Sequence, residues 1–327
     1  MPAAIHFQDV VAAAARIAPF CHRTQPVTSH LLDGIAGLRL VFKPENLQRT
    51  GSFKCRGATS AVAVLAAAGV RAVATHSAGN HGAALAFAAR AHGLECHVVV
   101  PSTAPRVKQD AIEGYGARLV LCEPTLAARE TTCAAVMDQT GAVLVPPYDH
   151  PDIMAGQGTI GLEMLEDTPD LDALVIPVGG GGLCAGVCIA ARHLSPRIRL
   201  FGAEPLLADD ARRSLAAGEI IPSTYPDTVA DGLRTSVGEL PFAILRTHLE
   251  DILTATEAEI LAAMALIYTR LKLVVEPSGA VGLAAVLANL DRLGGLRVGI
   301  VLSGGNVDPS RLGEFFLSDP ASRGRTL

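Results

Sequence analysis

Lys54 stands out in this sequence as a group able to do covalent chemistry. It lies between Phe53 and Cys55 in TGSFKCRGA (residues 50–58), where an Ala-rich run begins. A single lysine at a helix start is ordinarily solvated. Lys54 has an aromatic and small residues beside it and few charges to solvate it. A partly buried lysine has a lowered pKa, and its amine becomes a nucleophile able to form a Schiff base.

Four further segments carry polar chemistry. Gly179, Gly180, Gly181 and Gly182 follow an apolar run and precede Leu183 and a small-residue stretch. Such a turn exposes backbone N–H groups beside a helix N-terminus and suits a phosphate dianion. Four successive glycines lose too much backbone entropy to be a plain turn. Gly180-x-Gly182-x-x-Ala185 also satisfies the dinucleotide pattern, and Glu204 ends the next apolar run, where a ribose-binding acid would sit. Taken alone, the run fits an NAD-dependent oxidoreductase as well. In HSAGNHG (residues 76–82), Ser77, Asn80 and the turn amides form an anion cradle that would hold a substrate carboxylate. Ser77 or Asn80 could equally be an ordinary helix cap, and His81 a packed histidine. In VLSGGN (residues 301–306), Ser303 would aim its hydroxyl into the cleft above a sheet. In GAEPLLADD (residues 202–210), Glu204, the Ala208 carbonyl and Asp210 are hard oxygen ligands suited to Mg²⁺ or Ca²⁺, although a solvated acidic loop looks the same in sequence. The sequence has no zinc spacing and no GxSxG elbow.

These residues need elements to position them. Short β-rich runs alternate with Ala-rich runs. Strands are expected at 71–77, 95–101, 117–122, 141–148, 171–178, 197–205 and 296–305. Helices are expected at 82–93, 106–115, from the glycine turn to about 193, and at 257–272 and 279–290. Apolar strands alternating with helices imply parallel sheets covered on both faces, hence an α/β fold. The loop PPYDHPDIMAGQG (residues 146–158) separates two such regions. Two α/β lobes with a cleft between them are expected, residues 1–50 plus 151–327 forming the large one and 51–150 the small one.

Composition excludes several classes. The chain has 327 residues, is 50% apolar and 18% charged, and carries a net charge of −5. It is too apolar to be disordered and has no basic run for nucleic acid. Seven Cys with no CxxC pair are not a disulfide scaffold. Residues 173–191 are uncharged and long enough to span a bilayer, but Pro177 and the four glycines break the run. The N-terminus has no basic region joined to an apolar core. A soluble, cytoplasmic protein with reduced thiols and no membrane partner is expected.

TGSFKCRGA, SAGNHG, GGGGL, GAEPLLADD, EPSGA (residues 276–280) and VLSGGN occur in that order. Together they resemble the fold-type II pyridoxal phosphate enzymes, within them the serine/threonine dehydratase and serine racemase group, over nearly the whole chain. The resemblance implies two open, twisted, mostly parallel sheets of the tryptophan synthase β kind, with the cofactor in the cleft. Lys54 then resembles the Schiff-base lysine and Phe53 the residue packing beside the pyridine ring. Asn80 resembles the partner of the ring's 3′-oxygen, Gly179–Gly182 with Leu183 the phosphate cup, and Ser303 the partner of the pyridine nitrogen. Glu204, Ala208 and Asp210 match the divalent-cation loop of the racemase-like branch, and Ser77, Ala78, Asn80 and His81 the substrate loop. A homodimer is a further implication.

Ala78 departs from the racemases this group contains, which have a second serine there. A racemase needs an acid or base on each face of the substrate, whereas an eliminating enzyme needs only one. Ala78 has no exchangeable proton. The sequence therefore favours a dehydratase that converts a 3-hydroxy amino acid of the serine or threonine type to a 2-oxo acid and ammonia. A serine racemase or a threo-3-hydroxyaspartate ammonia-lyase on the same scaffold is the alternative. The chain ends too early for a C-terminal regulatory domain, so it resembles the short form of these enzymes.

Overall fold

The computed structural model describes residues 5–224 and 226–317. Helices α1 (Phe7–Ile17) and α2 (His30–Ala36) precede strand β1 (Arg39–Pro44). Then follow α3 (Lys54–Ala67), β2 (Ala72–Thr75), α4 (Asn80–His92), β3 (Glu95–Pro101), α5 (Arg106–Gly114), β4 (Arg118–Cys122), α6 (Leu126–Thr140) and β5 (Val143–Leu144). Next come α7 (Pro151–Asp167), β6 (Ala173–Pro177), α8 (Gly182–Leu194), β7 (Arg199–Pro205), α9 (Asp210–Ala217), α10 (Glu239–His248) and β8 (Asp251–Ala255). The chain continues through α11 (Glu257–Leu266), α12 (Pro277–Ala288), α13 (Leu290–Leu293), β9 (Arg297–Leu302) and α14 (Pro309–Leu317).

The strands form two sheets, both parallel throughout. One has the order β1-β9-β6-β7-β8 and the other β4-β3-β2-β5. Every residue of β2 and β6 is buried, as parallel strands covered on both faces require. All strands of the smaller sheet lie between residues 72 and 144, and those of the larger sheet flank that span. Each chemical segment follows the carboxyl end of a parallel strand: HSAGNHG after β2, the glycines after β6, the acidic loop at β7 and VLSGGN at β9. Open parallel sheets bind ligands at that edge.

The structure differs from the sequence-based expectation at residues 146–158. Only the first part is loop; α7 begins at Pro151, a residue suited to the first helical turn. Glycines that read as loop are instead sites of close helix approach. A Cβ on Gly156 would come 2.7 Å from the Arg56 carbonyl oxygen on α3, and one on Gly158 2.8 Å from the Gly186 carbonyl oxygen on α8. The strand expected at 141–148 shortens to Val143–Leu144. The helix expected at 257–272 becomes α11 followed by a π turn over Ile267–Leu271, ended by Lys272 at φ 60°.

Candidate active site

Lys54 opens α3, and its position is set by contacts to the end of β9. The Phe53 amide donates to the Ser303 carbonyl at 3.0 Å, and Ser52 forms an isolated antiparallel bridge with Gly304. Just upstream, Thr50 is held at φ 63° and buried, a backbone strain of the kind that collects at functional sites. Its carbonyl accepts from Asn306 Nδ2 at 2.7 Å. The backbone that carries Lys54 is thus held against the end of β9. Lys54 Nζ donates to the Pro147 carbonyl at 2.7 Å and lies 5.0 Å from the Phe53 ring centroid and 6.0 Å from that of Tyr148. Burial pulls its pKa from 10.5 down to about 8, against the opposing charge of Glu276.

The four glycines are buried at the start of α8. They cannot carry side chains. Gly181 has φ 85°, and a Cβ there would come 2.7 Å from Pro241 Cβ. A Cβ on Gly180 would strike the Tyr148 ring, and one on Gly182 would lie 2.8 Å from the Tyr148 carbonyl oxygen. The cup is tied to α10 by the Gly238 amide, which donates to the Gly180 carbonyl at 3.1 Å. Leu183 is buried behind it. Ser303 Oγ is buried and donates to the Ser278 carbonyl at 3.3 Å.

Helix α4 starts without a side-chain cap, and its N-cap residue is Gly79. Ser77 and Asn80 therefore do not perform the ordinary capping that the sequence allowed, and the first-turn amides can accept an anion. Asn80 reaches across to the larger-sheet side. Its Nδ2 donates to Glu276 Oε1 at 2.7 Å, and its Oδ1 accepts from Asn306 Nδ2 at 2.8 Å. Lys108 on α5 crosses the same gap to Asp231 at 2.9 Å. A cavity of about 320 Å³ lies here, lined by Ala78, Asn80, Lys108, Asp231, Glu276 and Asn306 among others. Ala78 and Asn80 thus face open space, while His81 turns into the core. His81 Nε2 pairs with the Val145 carbonyl at 2.9 Å, and burial, aided by the Lys54 charge, lowers its pKa to about 3, so it is a neutral donor.

Sequence reasoning gave no role to Glu276, although it opens the EPSGA segment. Glu276 is buried, and burial together with the charge of Asp231 raises its pKa to about 8. The available signal was an acid immediately before a Pro-initiated helix. Pro147 and Tyr148 were also missed, because they lie in the expected linker and only the fold brings them to Lys54.

Glu204 is buried at the end of β7, its two carboxylate oxygens accepting from the Ala211 and Arg212 amides at 3.1 and 2.9 Å. Asp210 Oδ2 accepts from the Val237 amide at 3.1 Å, and Asp210 Oδ1 is buried without a hydrogen-bond partner. Burial raises both acids, Asp210 to about 6. Among the described residues no group of three His, Cys, Asp or Glu side chains could hold a metal, so a cation here would depend on the Ala208 carbonyl as well.

The family model "Pyridoxal-phosphate dependent enzyme" matches residues 17–304, and the chain belongs to that family. It is 45% identical over 315 residues to a serine racemase of Dictyostelium discoideum, covering 95% of this chain and 97% of that one. It is 46% identical over 307 residues to a β-hydroxyaspartate dehydratase of Paracoccus denitrificans, covering 94% and 98%. A solved T.th. threonine deaminase superposes with a TM-score of 0.89 at 45% identity, covering 93% and 99%. The fold is accordingly that of the fold-type II enzymes, and the glycine run belongs to a pyridoxal phosphate protein rather than an NAD oxidoreductase. The side chains fit that cofactor: a cradle that any Cβ would fill, a lysine amine with depressed pKa, and a buried serine hydroxyl.

Proposed function

We propose that the chain is an ammonia-lyase that removes water and then ammonia from a small 3-hydroxy amino acid of the serine or threonine type, leaving a 2-oxo acid. The observation that carries this reading is an asymmetry. Lys54 supplies a titratable amine, whereas Ala78, on the cavity-lining loop, offers no exchangeable proton. One base suffices for α,β-elimination; racemisation needs two.

When bound, pyridoxal phosphate supplies the electron sink that makes the substrate Cα–H acidic. Lys54 both anchors the cofactor and takes the Cα proton at Nζ, because its amine is partly neutral near neutral pH. Phe53 packs beside the ring. The amides of Gly179–Gly182 and Leu183 hold the phosphate. Asn80 and Ser303 present hydrogen-bonding groups to the ring's oxygen and nitrogen. Ser303 would place a neutral hydroxyl, not an acid, at that nitrogen. The loop Ser77–His81 binds the substrate carboxylate through its amides and orients Cα–H toward Lys54.

Mg²⁺ or another divalent cation would bind Glu204, the Ala208 carbonyl and Asp210; the unpartnered Asp210 Oδ1 supports that assignment. The lobe division 1–50 plus 151–327 and 51–150, a homodimeric assembly and a cytoplasmic location complete the reading. All seven cysteines are free, as a reducing compartment would keep them, and no helix among the described residues is long and apolar enough to cross a membrane.

The deciding experiment is an ammonia-release screen of the purified protein. It would use serine, threonine and 3-hydroxyaspartate in both configurations, with and without Mg²⁺, and measure racemisation in parallel. Ammonia release well above racemisation is expected. Interconversion of L- and D-serine as fast as pyruvate formation would overturn the argument from Ala78.

A further inference from the structure

Two thiols lie against the base of the lysine helix. Cys55 is the second residue of α3, directly after Lys54, and is fully buried. Cys21 sits in the turn after α1, where its amide donates to the Ile17 carbonyl, and is partly exposed. Their sulfurs are 3.5 Å apart, and both approach Thr59 Oγ1, at 3.8 and 3.9 Å. Neither thiol has a part in the elimination chemistry.

We propose that Cys21 and Cys55 form an oxidative modification site, at which a peroxide converts the pair to a disulfide and thereby lowers the reactivity of Lys54. Cys21 sulfur attacks a peroxide oxygen, the O–O bond breaks, and a sulfenic acid and water result. The Cys55 sulfur then attacks that sulfur, the S–S bond forms, the S–O bond breaks, and a second water leaves. Two thiols and one hydrogen peroxide become one disulfide and two waters.

The division of roles follows from position. Cys21 is the residue partly open to solvent and Cys55 the enclosed one. The hydrogen bond from Cys55, aided by Thr59 and the charge of Arg56, holds the Cys21 thiol below its ordinary pKa against burial. The Cys55 thiol is raised. The lower-pKa, more exposed thiol is the one an oxidant meets first.

The effect on Lys54 is mechanical. A disulfide is about 2.05 Å long, so the two sulfurs, now 3.5 Å apart, must close, and the share of that movement taken by Cys55 displaces the first turn of α3. The surrounding core is close-packed and transmits the displacement. Lys54 is the adjacent residue, and its amine is positioned by one hydrogen bond to Pro147. Misplacement of a reacting group by about 1 Å can lower a rate by roughly a hundredfold.

The test uses purified holoenzyme treated with hydrogen peroxide, followed by thiol counting in denaturant and peptide mapping. The expected count falls from seven to five, with a Cys21–Cys55 cross-linked peptide. Cofactor absorbance shifts, ammonia release falls at least about tenfold, and dithiothreitol reverses both. Cys21→Ser keeps the untreated activity and becomes insensitive to peroxide. Cys55→Ser leaves a Cys21 sulfenic acid that dimedone traps. Oxidation at other cysteines first, or a Cys21–Cys55 disulfide with unchanged absorbance and activity, would overturn the proposal. Thiol mapping and absorbance are read without knowing the substrate, so failure here is separable from failure of the ammonia-lyase reading.

Discussion

Lys54 and Glu276 are both buried, and burial sets the titration of each, with the attraction between them a smaller opposing effect. The Lys54 pKa of about 8 means that its neutral fraction rises through pH 8 instead of pH 10.5. Covalent cofactor uptake by cofactor-free protein, followed by absorbance, should therefore rise with a midpoint near pH 8. Glu276 charge favours the protonated lysine, so Glu276→Gln should move that midpoint lower. The acid also has a stability signature. Its folded pKa of about 8 lies above the ordinary 4.5, so the stability linked to its protonated form is complete below pH 4.5 and is lost as pH rises through 8. Thermal melts should then show Glu276→Gln gaining on the wild type between pH 5 and pH 9, provided the Asn80 hydrogen bond survives. Lys54→Ala should abolish covalent cofactor attachment and lower ammonia release by several orders of magnitude while leaving far-UV dichroism unchanged.

At the scale of elements, glycine has two unlike roles here, and a pair of substitutions separates them. Gly186 in α8 faces α7, where a Cβ would run into the Met154 carbonyl and lie 2.6 Å from the Gly158 amide nitrogen. Backbone, not a flexible side chain, blocks it. Gly186→Ala should destabilise by about 1–3 kcal/mol or more despite alanine's better helix propensity. Gly34 in α2 has nothing within 4 Å of the same atom. Gly34→Ala should stabilise by up to about 1 kcal/mol. Denaturant melts of the two variants decide this. The same distinction explains why residues 151–158 read as a linker. Gly156 and Gly158 carry no local sign that they serve packing, because the helices they meet are remote in sequence. Strands β2, β3, β4, β6, β7 and β9 were legible because their apolar runs are uninterrupted. Strands β1 and β8 and helices α1, α2, α6, α7, α9, α10, α13 and α14 were not anticipated; their patterns are short or mixed and become decisive only against the finished sheets.

At the scale of the whole molecule, the acidic loop of Glu204 and Asp210 joins the larger sheet to α9 and the segment before α10. Its two acids are buried with raised pKa values, so without a cation they lose stability as pH rises, Asp210 through about 6. A bound divalent cation reverses that sign, because it needs the ionised carboxylates. Added Mg²⁺ should raise the melting temperature at pH 8, by an amount equivalent to about 2.7 kcal/mol at a hundredfold excess over Kd, and should have little effect at pH 5. Asp210→Asn should remove the cation response. Thermal shift measurements over pH and Mg²⁺ concentration test this directly.

The sequence by itself determined the fold class, the lysine at its helix start, the glycine run and the order of the motifs. Those depend on local features: an apolar run, four glycines, a lysine among small residues. Only the tertiary structure decided which groups meet them. Glu276 lies 196 positions from Asn80 and Asn306 lies 226 away, yet both bond to its side chain. Pro147 fixes the lysine amine from 93 positions away. Such partners are chosen by how parallel strands align their carboxyl ends, and burial then sets the pKa values. Neither is written in any short stretch of the chain.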